Sequence, residues 1–173
     1  MEIWLISSKN ITAWLVKTGM KLFCIKNGLD IPKEIFNHAM IYDPDTDLVY
    51  EAGFPKVVCI SQSEWLNKKK NKKALIKVIR LNISDRQKRT MLSYLSVQVG
   101  KEYELSNFLW HTLKIFTGKW RGNVDDKQHY CYELVIRALN SIWPSHFYEY
   151  LNPFEFNTMA KKNSYLANVS KQL

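Results

Sequence analysis

The stretch Tyr130-Cys131-Tyr132-Glu133-Leu134 sets a thiol where an apolar helical pattern begins. A helix N-terminus carries unpaired N–H groups and a partial positive charge, which favour a thiolate over a thiol. A thiolate is a nucleophile, and the reaction it suggests is attack on an amide or ester carbonyl. The plainer account of such a residue is a free cysteine that fills a core. A general base within reach separates the two accounts.

Four histidines could serve as that base. His111 sits inside a predicted helix beside Trp110, and His146 follows Pro144-Ser145 in a loop, so both read as structural or surface residues. His129 is two residues before Cys131, a spacing at which side chains around a helix start point apart. His38 opens a hairpin in which His38 to Tyr42 and Asp47 to Glu51 flank a turn at Asp43 to Thr46. With Tyr42 and Asp47 as the closing pair, Glu51 falls directly across from His38 on the same sheet face. A slip of one residue would substitute Tyr50 and turn Glu51 to the other face. Cys131, His38 and Glu51 then have the logic of a triad: nucleophile, base and orienting acid. An ordinary cross-strand His-Glu pair on a surface is the alternative.

The elements that must position these residues follow from pattern. A short apolar run, Glu2 to Ile6, precedes a helix in which Ile11, Trp14, Leu15, Thr18 and Leu22 recur at helical spacing, ended by Asn27-Gly28. After the hairpin come apolar runs at Val57 to Ile60 and Ala74 to Ile83, further strands of an antiparallel sheet. Ser84-Asp85 caps a helix containing Met91, Leu92, Leu95 and Val99 that stops at Gly100, and Leu105 to Phe116 predicts another. In the cysteine helix Cys131, Leu134, Val135, Ala138 and Ile142 share one stripe, with Pro144 ending it. The polar end, from about residue 161, is expected to fray. One α+β domain over 1–173, an antiparallel sheet packed with helices, is the simplest account.

Composition limits the functions. The chain of 173 residues can bury a core without disulfide or metal support, and Cys24, Cys59 and Cys131 form no CxxC pair. Neither these cysteines nor the histidines show metal-ligand spacing, so no metal or cofactor is expected. The opening MEIWLISSKN lacks a basic n-region and a cleavage site, and no apolar run reaches membrane-span length. The expectation is a cytoplasmic protein, and the Lys/Asn-rich character points to a bacterial or phage product.

The net charge of +9 is concentrated at Lys68, Lys69, Lys70, Lys72 and Lys73. The plainer account of this run is a solvated surface loop; as a binding feature it suits contact with an anionic polymer or membrane surface. No aromatic residues interleave those lysines, which argues against nucleic acid.

The order of a histidine strand, a hairpin, an acid and a much later Tyr-Cys-x-Glu-Leu helix resembles the circularly permuted papain-like fold of the NlpC/P60 superfamily, in particular its YiiX/YaeF-like branch. The matching segments are Met1 to Ile6, Asn37-His38-Ala-Met-Ile-Tyr42, Val49-Tyr-Glu51-Ala-Gly53, Gly100-Lys-Glu-Tyr103, Tyr130 to Leu134 and Leu151-Asn-Pro153-Phe-Glu. The resemblance implies Cys131 as nucleophile, His38 as base and Glu51 as the third polar residue. It adds Tyr103 in the site, as a donor to an oxyanion beside the Cys131 N–H. Tyr132 stands where the family often has Ser, and this predicts a narrowed pocket. The usual Gly-Asp before the first strand is absent.

The expected activity is that of a peptidase or amidase acting through a thioester, with cell-wall peptide as first substrate. The alternatives are lipid or lipoprotein deacylation or acyl transfer, for which the segment Trp14 to Phe23 could touch a membrane, and a catalytically silent binding protein using the basic loop.

Overall fold

The structure is a computed structural model and describes residues 1–9, 11–68, 71, 74–103, 128–144, 156, 158 and 166–170. The strands are β1 (Glu2–Ser7), β2 (His38–Asp43), β3 (Leu48–Gly53), β4 (Lys56–Ser61), β5 (Leu75–Leu81), β6 (Glu102–Tyr103), β7 (Gln128–His129) and β8 (Leu166–Ser170). The helices are α1 (Ile11–Lys26), α2 (Gln62–Asn67), α3 (Asp85–Gln98) and α4 (Cys131–Asn140). One sheet holds the strands in the order β7-β6-β4-β3-β2-β1-β5-β8. All neighbours are antiparallel except β6 and β7. The fold is therefore α+β, as the pattern predicts.

β1 lies between β2 and β5, which explains why Ile3-Trp4-Leu5-Ile6 is apolar on both faces. On one face Ile3, Leu5, Ala39, Ile41, Tyr50 and Ala52 pack with Met91 and Leu95 of α3 and the apolar residues of α4. On the other, Trp4, Ile6, Met40, Val49, Ile76 and Val78 close against Trp65 of α2. That six-residue helix has too little length for periodicity to reveal it. Its N-cap was written in the sequence all the same, since the Ser61 hydroxyl accepts from the Glu64 N–H at 3.1 Å.

Helix α4 differs from the one-sided stripe expected of it. Cys131, Tyr132, Glu133, Leu134, Val135, Ile136, Ala138 and Leu139 are all buried. A helix apolar around its circumference belongs inside a core, and α4 packs on β2, β3 and α3. Leu134, Val135, Ile136 and Leu139 are fully buried, which stabilises the helix by about 2 kcal/mol for each side chain. Its charged pair is internal: Arg137 Nη2 and Glu133 Oε1 meet at 2.9 Å, one turn apart.

Two further differences concern the hairpin and the chain end. The β2–β3 register is Ile41 to Tyr50, Tyr42 to Val49 and Asp43 to Leu48. It is shifted by two residues from the expected pairing, because the turn occupies residues 44–47 and ends on Asp47 at φ 57. Asp tolerates this left-handed conformation better than most residues. The Asp43 carboxylate holds the turn, accepting from Thr46 Oγ1 at 2.8 Å. At the chain end, where a frayed tail was expected, Leu166–Ser170 pairs with β5 as an edge strand.

The segment expected to form a helix at Leu105 to Phe116, with His111, lies outside the described residues, as do His146 and Lys69, Lys70, Lys72 and Lys73. No helix among the described residues is long and apolar enough to cross a membrane.

Candidate active site

His38 is the first residue of β2 and Glu51 lies in β3. Extending the observed register sets Gly53 across from His38 and Glu51 one diagonal step away. A shift of two residues keeps a side chain on its face, so the carboxylate still reaches the ring. His38 Nε2 and Glu51 Oε1 are 2.8 Å apart, with the Glu51 side chain 4% exposed and that of His38 19%. A Cβ on Gly53 would meet the Glu51 side chain only at ordinary van der Waals distance, 3.5 Å from the carboxyl carbon.

The entry to β2 is fastened independently. Asn37 Oδ1 accepts from the Ser8 N–H at 2.9 Å, and the Asn37 N–H donates to the Ile6 carbonyl at 2.9 Å. These bonds fix the backbone immediately before His38 to the end of β1.

Cys131, the first residue of α4, is a free thiol, buried at 5% exposure. Its sulfur lies near enough to the His38 ring to act on the ring's charge. With Nε2 held by Glu51, Nδ1 is the ring nitrogen left for the sulfur. Burial by itself pulls the His38 pKa down, but the Cys131 sulfur and the Glu51 carboxylate outweigh it and push the ring up to about 10. The imidazole is thus held as a cation beside the Glu51 carboxylate.

Among the described residues, no imidazole acts on either of the other two cysteines. Burial pushes the Cys24 thiol up. It also pushes Cys59 up, against a hydrogen bond with Tyr50.

Tyr103 comes to the site through backbone pairing. Gly100, at φ +90, donates to the Val57 carbonyl at 2.9 Å, and the Tyr103 N–H donates to the Pro55 carbonyl at 2.8 Å. Most side chains resist that φ, so the glycine of the Gly-x-x-Tyr pattern has a backbone reason. Burial, then the charges of Cys131 and Glu51, hold the Tyr103 phenol well above its ordinary pKa. At neutral pH it is an uncharged phenol, able to donate a hydrogen bond.

Tyr132 corrects an expectation. It was read as a pocket residue, yet it is 1% exposed and packs edge-on to Phe156 with ring centroids 5.7 Å apart. Its hydroxyl donates to the Phe36 carbonyl at 3.2 Å. The residue after the thiol is therefore tied to the residue two before His38, and the bond couples α4 to the start of β2. Glu133 was also missed as part of the site's support. Its carboxylate accepts from the Tyr130 N–H at 3.5 Å, a long bond, as well as meeting Arg137. An acid at the third helical position after Tyr130 was the available signal.

No protein-family model matches the chain, and no curated protein sequence matches it. Among solved structures it is similar to the metalloprotein YiiX from Escherichia coli O157:H7, with a TM-score of 0.58 and 15% identity, over 99% of this chain and 96% of that one. The likeness is one of fold, and it falls on the protein whose branch the motif order resembles. Among the described residues no three His, Cys, Asp or Glu side chains gather as a metal-binding set.

Proposed function

We propose that the chain is a cysteine-dependent hydrolase of the peptidase or amidase kind, with Cys131 as nucleophile, His38 as base and acid, and Glu51 orienting the ring. The observation that carries this reading is the single imidazole that meets the Glu51 carboxylate at 2.8 Å and has the thiol at the start of α4 acting on it from another element. In the first step the Cys131 sulfur attacks the amide carbonyl carbon, and the charge moves to the carbonyl oxygen. The Tyr103 hydroxyl and the N–H at the start of α4 stabilise that oxyanion. Collapse breaks the C–N bond as His38 gives its proton to the leaving amine, leaving a thioester. Water, deprotonated by His38, then attacks the thioester and releases a carboxylic acid and the thiolate.

A peptide bond of the bacterial cell wall is the substrate class that suits a small basic hydrolase of this kind. Deacylation or acyl transfer on a lipid is the second reading, favoured by the exposed apolar face of α1.

The test needs no knowledge of the natural substrate. The protein is incubated with a p-nitrophenyl ester at neutral pH, and the acyl adduct is located by mass spectrometry. A hydroxylamine-labile acyl group on Cys131, absent in His38→Ala, is expected. Acylation spread over lysines and other cysteines and indifferent to His38 would remove the basis of the proposal.

A further inference from the structure

Helix α1 is apolar on two sides. Ala13, Val16, Met20 and Cys24 are buried, and Val16 and Met20 cluster with Ile35. The residues that first mark the helix in the sequence are on the opposite side: Trp14 is 61% exposed, Ile25 63%, and Leu15 and Leu22 are exposed as well. At 3.6 residues per turn these four fall within an arc of about 100°. Leu29 and Ile31, just beyond the helix, extend the exposed apolar surface.

The charges on α1 itself have one sign, and the exposed Asp30 lies beyond its end, between Leu29 and Ile31. Between Glu2 and Asp30 the sequence contains Lys9, Lys17, Lys21 and Lys26 and no acidic residue. On the helical wheel Lys21 borders the arc beside Trp14, and Lys26 borders it beside Leu15. Trp, Leu and Ile in one stripe edged by lysines is the pattern of a helix lying in a membrane interface, where apolar side chains enter the acyl boundary and ammonium groups meet lipid phosphates. A protein partner with an apolar groove would not by itself call for cations on both margins.

We propose that the outer face of α1, together with Leu29 and Ile31, docks on an anionic lipid surface. The face is mechanically joined to the site. Lys17 of α1 donates to the Ser8 carbonyl at 2.6 Å, Ser8 is bonded to Asn37, and His38 follows. The inference rests on exposure and charge, and it stands or falls separately from the hydrolase reading.

The test is sedimentation of the full chain with vesicles of phosphatidylcholine alone or mixed with phosphatidylglycerol. Binding to the mixed vesicles, weakened by salt, is expected, with little binding to phosphatidylcholine alone. The double variant Trp14→Glu, Ile25→Glu should lose roughly tenfold or more in partition, and Lys21→Ala roughly fivefold. Val97→Glu, at an exposed apolar position on α3, should bind as the parent does. Circular dichroism of each variant checks the fold, which these exposed positions should leave intact. Failure to sediment with anionic vesicles, or equal binding by the double variant, would overturn the proposal. Self-association of the parent that disappears in the double variant, without lipid binding, would overturn it in favour of a second copy as the cover.

Discussion

Glu51→Gln isolates the charge of the orienting residue while keeping its shape. In the parent the carboxylate is 2.8 Å from His38 Nε2 and is nearly solvent-free. A hydrogen bond to a charged group contributes about 1.5–3 kcal/mol and a neutral one about 0.5–1.5. The amide oxygen can still accept, so the change costs roughly 1–1.5 kcal/mol, equivalent to about one pKa unit on the ring. His38, pushed up to about 10 in the parent, should therefore titrate about one unit lower, as read by NMR of the imidazole nitrogens. Cys131→Ala should lower it further, because the sulfur opposes burial more strongly than the carboxylate does. Alkylation of Cys131 in Glu51→Gln should slow by up to about tenfold at neutral pH. A His38 titration unchanged in Glu51→Gln would refute the claim that the carboxylate sets the state of the ring.

Tyr132→Phe removes the hydroxyl donated to Phe36 and keeps the ring against Phe156; it should cost about 1 kcal/mol in denaturant melts and slow Cys131 alkylation, whereas a stability loss with unaltered alkylation would make the bond a fold contact alone. Lys88 meets the buried Asp43 carboxylate at 2.6 Å, so Lys88→Met should destabilise by about 2–4 kcal/mol, lowering the melting temperature by several degrees. Burial would raise the Asp43 pKa, but Lys88, Thr46 and the Asp45 N–H hold it below 3.8. Its contribution is therefore present above that pH and lost as pH falls through the lower folded value. Acid unfolding followed by circular dichroism should begin at higher pH in the Lys88 variant.

The thiol, its helix and the His-Glu hairpin were legible because each has a local signature: a polar break before an apolar run, or extended residues around an Asp/Pro turn. The register was not. Asp43, Pro44, Asp45, Thr46 and Asp47 all suit a turn, and only the folded chain selects Asp47 for the left-handed position. Glu51 kept its face because the displacement was even. The period of α1 was readable but its inner side was not, since Trp14, Leu15 and Leu22 are more apolar than the Ala13, Val16 and Met20 that the core accepts. Burial there is decided by the small space against Ile35, a tertiary fact. Tyr132 was misread for a related reason: its bond to Phe36 spans 96 residues of sequence, and no local pattern encodes it.

The central claim is that Cys131 is a prepared nucleophile with His38 as its partner. Its most direct test is the pH dependence of iodoacetamide alkylation at each cysteine, located by mass spectrometry, in the parent and in His38→Ala. The account predicts rapid labelling of Cys131 at slightly acidic pH, ahead of Cys24 and Cys59, and a loss of about tenfold or more without His38. Slow labelling of Cys131 that rises only near an ordinary thiol pKa and ignores His38 would contradict it, leaving Cys131 a core residue.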